Sequence, residues 1–313
     1  KTGINTVLAK YTMTFSLNIP QNTPAPKKPW PKRFPVLLPL FVFLLLIIGY
    51  SLLNRSVAPP LIGIIPIEGV ILESETIIKK IRELETNPQV KGIIVHINSP
   101  GGAVAPSQEI FSELIRIKST KKVYASLSSV AASGGYYIAI GAEKIYANPG
   151  SLTGSIGVIM QSFNVQKLMN RLGINVEIIK SGENKDIGSA FRSMKMAERK
   201  LLESVLEDTH RQFVNAVLEN RPIATDRMRF LADGRIFSGK QALQHGLIDG
   251  LAGFRETVEE MRNALGITEA VQLYYPLDKK DAILSMLDLE SIFPIKKTFT
   301  YTGLFYLGSF LNY

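Results

Sequence analysis

From residue 61 onward, short β-branched apolar runs alternate with segments of helical period, and few architectures accommodate that alternation. The run LIGIIPIEGVI (61–71) reads as a strand, and Ile77, Ile78, Ile81 and Leu84 then recur at helical spacing. GIIVHIN (92–98) predicts a buried strand, 106–117 a helix, VYASL (123–127) a strand, and Ser133 opens a further helix. Strands are also predicted over 144–147, 157–161 and 176–179, followed by a long helix over 196–220 and a smaller helical region. Strands separated by helices form a parallel sheet covered on its faces, so the fold class is α/β. At 313 residues and 46% hydrophobic composition, the chain can bury a full core as one large domain or two small ones.

The segment before this pattern is of another kind. Residues 34–53, FPVLLPLFVFLLLIIGYSLL, carry no charge and match the length of helix needed to cross ~30 Å of hydrocarbon. Pro35 and Pro39 fall in its first turns, where missing backbone donors are tolerated. Lys27, Lys28, Lys32 and Arg33 precede the run and only Arg55 follows closely, which predicts a cytoplasmic N-terminus and an extracytoplasmic remainder. The run exceeds a signal-peptide core and no small-x-small site precedes Asn54, so an uncleaved anchor is expected. The predicted organisation is a basic, Pro-rich disordered tail at 1–33, an anchor at 34–53, a linker at 54–60, a folded domain at 61–270 and an extension at 271–313. Residue 1 is not Met, and Met13 is a candidate start. The uncharged, aromatic stretch 298–313 could pack on its own core, cross a neighbouring subunit or touch membrane.

The formal charge of +9 belongs mainly to the tail. Seven basic and no acidic residues precede residue 56, leaving 29 basic against 27 acidic beyond it. Nucleic-acid binding needs a concentrated basic surface on the folded part, so this balance argues against it. The absence of cysteine excludes disulfides, thiolate catalysis and Cys-based zinc sites. No HExxH or histidine cluster points to a metal, and no cofactor is expected.

Three glycine-containing turns follow predicted strands, at the sheet edge where ligands of α/β proteins bind. NSPGG (98–102) places two glycines where backbone N–H groups can approach a ligand, as an oxyanion hole requires. SSVAASGGYY (128–137) presents Ser133 before two glycines at a helix start, the position of an exposed nucleophile and equally of an ordinary helix cap. PGSLTGSIGV (149–158) adds further small residues. A nucleophilic serine needs a base. His96 lies in a predicted buried strand, while His210 and His245 lie in predicted helices, and nothing in their placement recommends a triad. The loop IIKSGENKDIGSAFR (178–192) supplies Lys180 and Lys185 instead. A lysine with the ordinary pKa of about 10.4 is a poor base at pH 7, but desolvation can lower that value by ~3–5 units.

Taken in order, NSPGG, VAASGGYY, GSLTGSIGV, IKSGENKDIGS and DGRIFSGKQALQHGLID (233–249) resemble the signal peptide peptidase A family, in its short single-repeat bacterial form. That family belongs to the ClpP/crotonase superfold, and the resemblance covers residues 60–265. It implies repeated β-β-α units around a parallel sheet, preceded by one transmembrane helix. It also implies serine peptidase activity with Ser133 as nucleophile and Lys185, 52 positions later, as general base. Ser155 matches the lysine-orienting serine, and Gly101 with the backbone N–H of Gly134 matches the oxyanion hole. The implied partners are cleaved signal peptides and unfolded hydrophobic segments, membrane lipid through 34–53, and further copies of the chain in a homo-oligomer. No motif of the family covers the chain beyond about residue 270.

Three other readings compete. A crotonase-type acyl-CoA enzyme shares the superfold but needs neither the serine nor an anchor. A related membrane Ser/Lys protease, SohB-like or associated with stomatin-like proteins, would act on other substrates. A membrane-tethered scaffold on an inactive fold would be expected to lack Ser133 or Lys185, and both are present. GRIFSGKQ (234–241) nearly fits a phosphate-binding loop, but Gln241 replaces the magnesium-binding hydroxyl, and Ser238 reads better as a helix N-cap.

Overall fold

The computed structural model of the protein describes residues 34–53, 59–276 and 305–307. The chain divides into two compact units, Lys1–Val57 and Ala58–Tyr313. In the first, helix α1 (Phe34–Leu53) spans 20 residues with Pro39 inside it. Side chains of this helix are described for 38–47 and 49. Among the described residues no helix is long and apolar enough to cross a membrane. The expectations for 1–33, for the linker up to residue 58 and for most of 271–313 lie outside the described residues.

The second unit begins with β1 (Leu61–Glu68), α2 (Glu75–Thr86), β2 (Val90–Ser99), β3 (Gly101–Ala103), α3 (Val104–Ile117) and β4 (Lys122–Ala132). It continues with α4 (Gly134–Ala139), β5 (Lys144–Ala147), β6 (Leu152–Gly154), α5 (Gln166–Arg171) and α6 (Met196–Asn220). The rest comprises α7 (Thr225–Leu231), β7 (Ile236–Ser238), α8 (Gly239–Gln244), β8 (Gly250–Leu251), α9 (Phe254–Ala264), β9 (Gln272–Tyr274) and β10 (Phe305–Leu307).

Eight strands form one sheet in the order β7-β6-β4-β2-β1-β9, with β5 joining β4 to β8. Every pairing in it is parallel except β6 with β7. The mostly parallel α/β expectation therefore holds, and the reason is visible in β2. Ile93, Val95 and Ile97 bury one face with Ile81, Leu84, Ile110 and Leu114, while Ile94 buries the other with Ile62, Val258 and Met261. A strand covered on both faces has no polar side, which is why GIIVHIN reads as a continuous apolar run. On the edge away from β2, strand β4 serves two neighbours, pairing with β5 at Tyr124–Leu127 and with β6 at Val130–Ala132, so its tip projects toward the third glycine turn.

Two expected strands are absent. Residues 157–161 make only an isolated bridge at Ile159, residues 176–179 form no strand, and Ile179 is 94% exposed. A β-branched run without a neighbour to accept its backbone bonds has nothing to hold it as a strand. The helix expected after Ser133 is six residues long and wholly buried. By contrast 196–220 is helical throughout, and 144–147 is a strand.

One ion pair fastens the C-terminal end of α6 to the sheet. Asp249 accepts hydrogen bonds from Arg221 Nη1 and from the Ile145 amide, both at 2.8 Å, and Arg221 also donates to the Gly246 carbonyl at 3.2 Å. Burial works to raise the Asp249 pKa, but the bonds from Arg221 and Ile145 outweigh it and hold the carboxyl below its ordinary value. A depressed carboxylate stabilises the fold at pH values above its unfolded pKa, and that contribution disappears as pH falls through the folded value. Asp249→Asn is expected to cost about 3–5 kcal/mol at neutral pH, because it leaves the Arg221 guanidinium buried without a counter-charge. Urea unfolding at pH 7 measures that loss, and the gap from the parent protein should narrow below pH 4.

Candidate active site

Two pairs of glycines press backbone against backbone at the ends of β2 and β4. A Cβ on Gly102 would lie 2.0 Å from the Ile71 carbonyl oxygen, and one on Gly135 would lie 2.9 Å from the Ser99 carbonyl oxygen. A Cβ on Gly134 would meet Ser107 Oγ at 2.7 Å and the Gly102 nitrogen at 3.1 Å. NSPGG and SGGYY are thus the two halves of one contact, and the missing side chains let the strand ends approach.

Ser133 stands at this contact, between β4 and α4. Its backbone sits at φ 53°, ψ −116°, a conformation that costs an L-residue strain. Among the described residues only one other non-glycine residue has positive φ, and it is Ser155, also at 53°. The two are linked through the main chain. The Ser133 amide donates to the Gly154 carbonyl at 2.8 Å, and the Ser155 amide donates to the Arg235 carbonyl at 2.8 Å. Gly154, between them, has φ +79°, and a Cβ there would strike the Phe237 ring at 2.6 Å. Both serines are buried, and the Ser133 hydroxyl has no hydrogen-bond partner. A buried hydroxyl left unpaired on a strained elbow carries a free-energy cost that packing alone gives no reason to retain.

The structure brings Ser133, Gly134 and Gly101 together, with Ser155 one strand away. The Gly101 N–H is already engaged, donating to Ser99 Oγ at 3.1 Å, so an oxyanion would have to share or displace that bond. The sequence assignment passed over Gly102, although it is the second glycine of the quoted motif. Its nitrogen lies directly against Gly134. In α4, the N–H groups of Gly134 and Gly135 belong to the first turn, where no carbonyl of the helix itself can accept them.

Lys185 is placed differently. It lies in the loop between α5 and α6, is exposed, and is not bonded to Ser133. Its neighbour Lys180 is occupied, donating to the Glu183 carbonyl at 2.7 Å and to Asp186. No histidine touches the serine. His96 packs on Phe254 at 4.7 Å between ring centroids, and burial lowers its pKa. His245 packs against Phe237, and His210 lines a cavity of about 410 Å³ beside Ser155 together with Val158, Leu206 and Gly234. Ser238 caps α8 by accepting from the Gln241 amide at 3.2 Å, while the Gln241 side chain accepts from the Ser238 amide at 2.9 Å, which accounts for GRIFSGKQ without a phosphate.

Comparison with known proteins agrees with this geometry. Residues 115–268 match the peptidase family S49 model, and residues 66–161 match that of Clp protease. A protein of Synechocystis described as a protease is 41% identical over 177 residues, covering 56% of this chain and 64% of that protein. A protein of Enterococcus faecium described as a signal peptide peptidase is 33% identical over 205 residues, covering 65% of this chain and 60% of that one. A chloroplast serine protease of Arabidopsis thaliana is 34% identical over 219 residues, covering 70% of this chain and 31% of that one. The chain thus spans less than two thirds of these relatives' lengths. The span that holds the strained Ser133 and Ser155 elbows, and the lysine loop after them, is thus similar to peptidase family S49, and the part that holds the two elbows is similar to Clp protease as well.

Proposed function

We propose that this protein is a serine endopeptidase with a Ser/Lys dyad, in which Ser133 is the nucleophile and Lys185 the general base. The observation that carries the reading is the unpartnered, buried Ser133 hydroxyl on a backbone strained to φ 53°, next in the chain to a glycine packed on the NSPGG turn. In the first step neutral Lys185 takes the Ser133 proton as Oγ attacks the peptide carbonyl carbon. The oxyanion accepts hydrogen bonds from the glycine backbone, with the Gly134 N–H on one side and the NSPGG turn on the other. The protonated lysine then returns its proton to the leaving amine, and water, deprotonated by the same lysine, hydrolyses the acyl-enzyme. Ser155 orients the lysine.

The substrates are residual signal peptides and other hydrophobic or unfolded segments. Extended peptide binding is supported by β3, whose edge already accepts Phe305–Leu307 as an antiparallel strand in register with Ala103, Gly102 and Gly101. An extended substrate taking the place of that strand would run along Gly101 and Gly102. The cavity beside Ser155, with Val158, Ile159 and Leu206 in its wall, suits an apolar side chain.

A lysine becomes a base only where cover from water favours its neutral form. Homo-oligomerisation would provide that cover. The stretch carrying Lys185 displays large apolar side chains to solvent, including Phe163, Leu172, Ile179 and Met196, at 63–94% exposure. Residues 34–53 form the anchor and hold the catalytic domain outside the cytoplasm, a reading supported by the uncharged run of the sequence and the basic residues before it.

Four measurements on the full chain test this. Ser133→Ala and Lys185→Ala should each lower cleavage of an apolar fluorogenic peptide by about 10³-fold or more at unchanged melting temperature, and a fluorophosphonate should label Ser133 by mass spectrometry. Activity retained by Lys185→Ala would sink the dyad, and labelling at Ser155 would reverse the serine roles. Single cysteines placed before residue 30 and after residue 60 should show opposite accessibility to an impermeant maleimide in intact cells, whereas accessibility from the same side removes the anchor. Ile179→Asp should shift native mass toward the monomer and lower activity with it; an unchanged mass distribution removes this face from the assembly.

A further inference from the structure

The loop that presents Lys185 is tied down by a group of charges that the dyad itself does not use. Arg192 is its centre. Its Nε donates to Asp186 Oδ2 at 2.7 Å, and its Nη2 donates to Asp186 Oδ1 at 2.9 Å and to the Asp186 carbonyl at 3.2 Å. The same guanidinium reaches Glu198 through Nη1 to Oε2 at 2.8 Å and Nη2 to Oε1 at 2.5 Å. Glu198 is the third residue of α6, and its Oε2 also accepts from the Lys195 amide at 2.9 Å. One planar cation therefore forks onto two carboxylates, one beside Lys185 in the chain and the other at the start of the longest helix of the domain.

The arrangement is built rather than incidental. The Glu198 side chain is 1% exposed and that of Asp186 10%, so neither carboxylate is a solvated surface charge. Bonds from Arg192 and the Lys195 amide hold Glu198 down at about 2, and bonds from Arg192 and Lys180 hold Asp186 well below the ordinary carboxylate range. The turn is also braced along its backbone, through Lys185 N to the Gly182 carbonyl, Ile187 N to the Asn184 carbonyl and Ser189 N to the Asp186 carbonyl. On its flank the Ser193 amide donates to Gln166 Oε1 at 3.1 Å, linking the loop to α5.

Two consequences follow for a lysine at position 185. Its Cα is fixed, because the next residue is held by both its side chain and its carbonyl. Its electrostatic surroundings are also set. A bare carboxylate at 186 would favour a charged ammonium next door and work against a base. The charged groups facing this loop are Lys180, Glu183, Asp186, Arg192, Lys195 and Glu198, and they pair off among themselves, with Lys195 taking Glu183 at 3.3 Å. Within that set three cations balance three anions, which leaves Asp186 without free charge to lend to Lys185.

We propose that Arg192, bridging Asp186 and Glu198, is a positioning residue for the general base: it locks the Lys185 turn onto α6 and neutralises the carboxylate beside it. This rests on Lys185 being the base. Arg192 touches no substrate and is not a catalytic residue.

The test uses the full chain and the pH dependence of kcat/KM on an apolar peptide. Arg192→Gln should lower kcat by about 10–100-fold and move the acid limb of the profile upward by about one pH unit, since the charges around the Lys185 loop then carry one unbalanced negative charge. KM should change little. Asp186→Asn in the Arg192→Gln background should return the acid limb to its original position while kcat stays low, because charge is restored but the tether is not. Arg192→Lys keeps the charge and loses the fork, so it should show reduced kcat with an unmoved limb, and it serves as the folding control by thermal melt. A profile and kcat unchanged in Arg192→Gln would overturn the inference, as would a loss of kcat that tracks loss of folded protein in all three variants. Failure of the dyad itself shows separately, as full activity in Lys185→Ala.

Discussion

Contact between two glycine pairs, Gly101-Gly102 and Gly134-Gly135, sets the geometry on which the rest of the site depends. Side chains at Gly102, Gly134 and Gly135 would collide with backbone atoms of Ile71 and Ser99 or with Ser107, so β2, β3 and the start of α4 can meet only because those side chains are missing. Once they meet, β4 has no room to continue straight. It turns through Ser133 at positive φ and enters a short buried helix, with the strained residue held by the Gly154 carbonyl. The strain is small beside the apolar core behind it, where Ile93, Val95, Ile97, Ala131 and Tyr136 share one cluster. That core can carry the cost of one residue in a sparsely populated conformation, of order 1–3 kcal/mol.

The contact explains why Ser133 and the two glycine turns come as a unit. The first turn of α4 and the NSPGG turn lie side by side, with the Gly134 backbone against Gly101 and Gly102. A second elbow at Ser155 repeats the device one strand away, supported by Gly154 against Phe237 and by the Arg235 carbonyl. The lysine belongs to a different class of element. It comes from a loop with few apolar anchors, whose order is supplied by ion pairs among Lys180, Asp186, Arg192 and Glu198 instead of by packing. The surroundings of the serine are thus apolar and buried, while those of Lys185 are polar and exposed.

Much of the central sheet was readable from residue order, because each buried strand is an apolar run with period two or none, and each covering helix repeats its apolar residues at three and four. The prediction over 92–98 and the long helix over 196–220 rest on such patterns. It failed at 157–161 and 176–179, where β-branched residues form no strand in the chain. A run such as Ile178-Ile179 has strand propensity without a partner edge, and propensity alone does not supply backbone bonds. Ser133 and Ser155 stood out only through the family resemblance and the small residues around them. Their shared positive φ is a property of the folded backbone that no residue pattern announces.

The sequence by itself determined the class of fold, the candidate nucleophile and the two turns that flank it, because glycine pairs, β-branched runs and helical spacing are local signals with local physical causes. It also carried the uncharged run at 34–53 and the concentration of positive charge before it. Only the tertiary structure decided that the glycine pairs are partners in one contact, that the Gly101 amide is already engaged by Ser99 while Gly102 lies against Gly134, and that Lys185 stands exposed and apart from Ser133. These are matters of distance between segments far apart in the chain, and such distances follow from how whole faces pack.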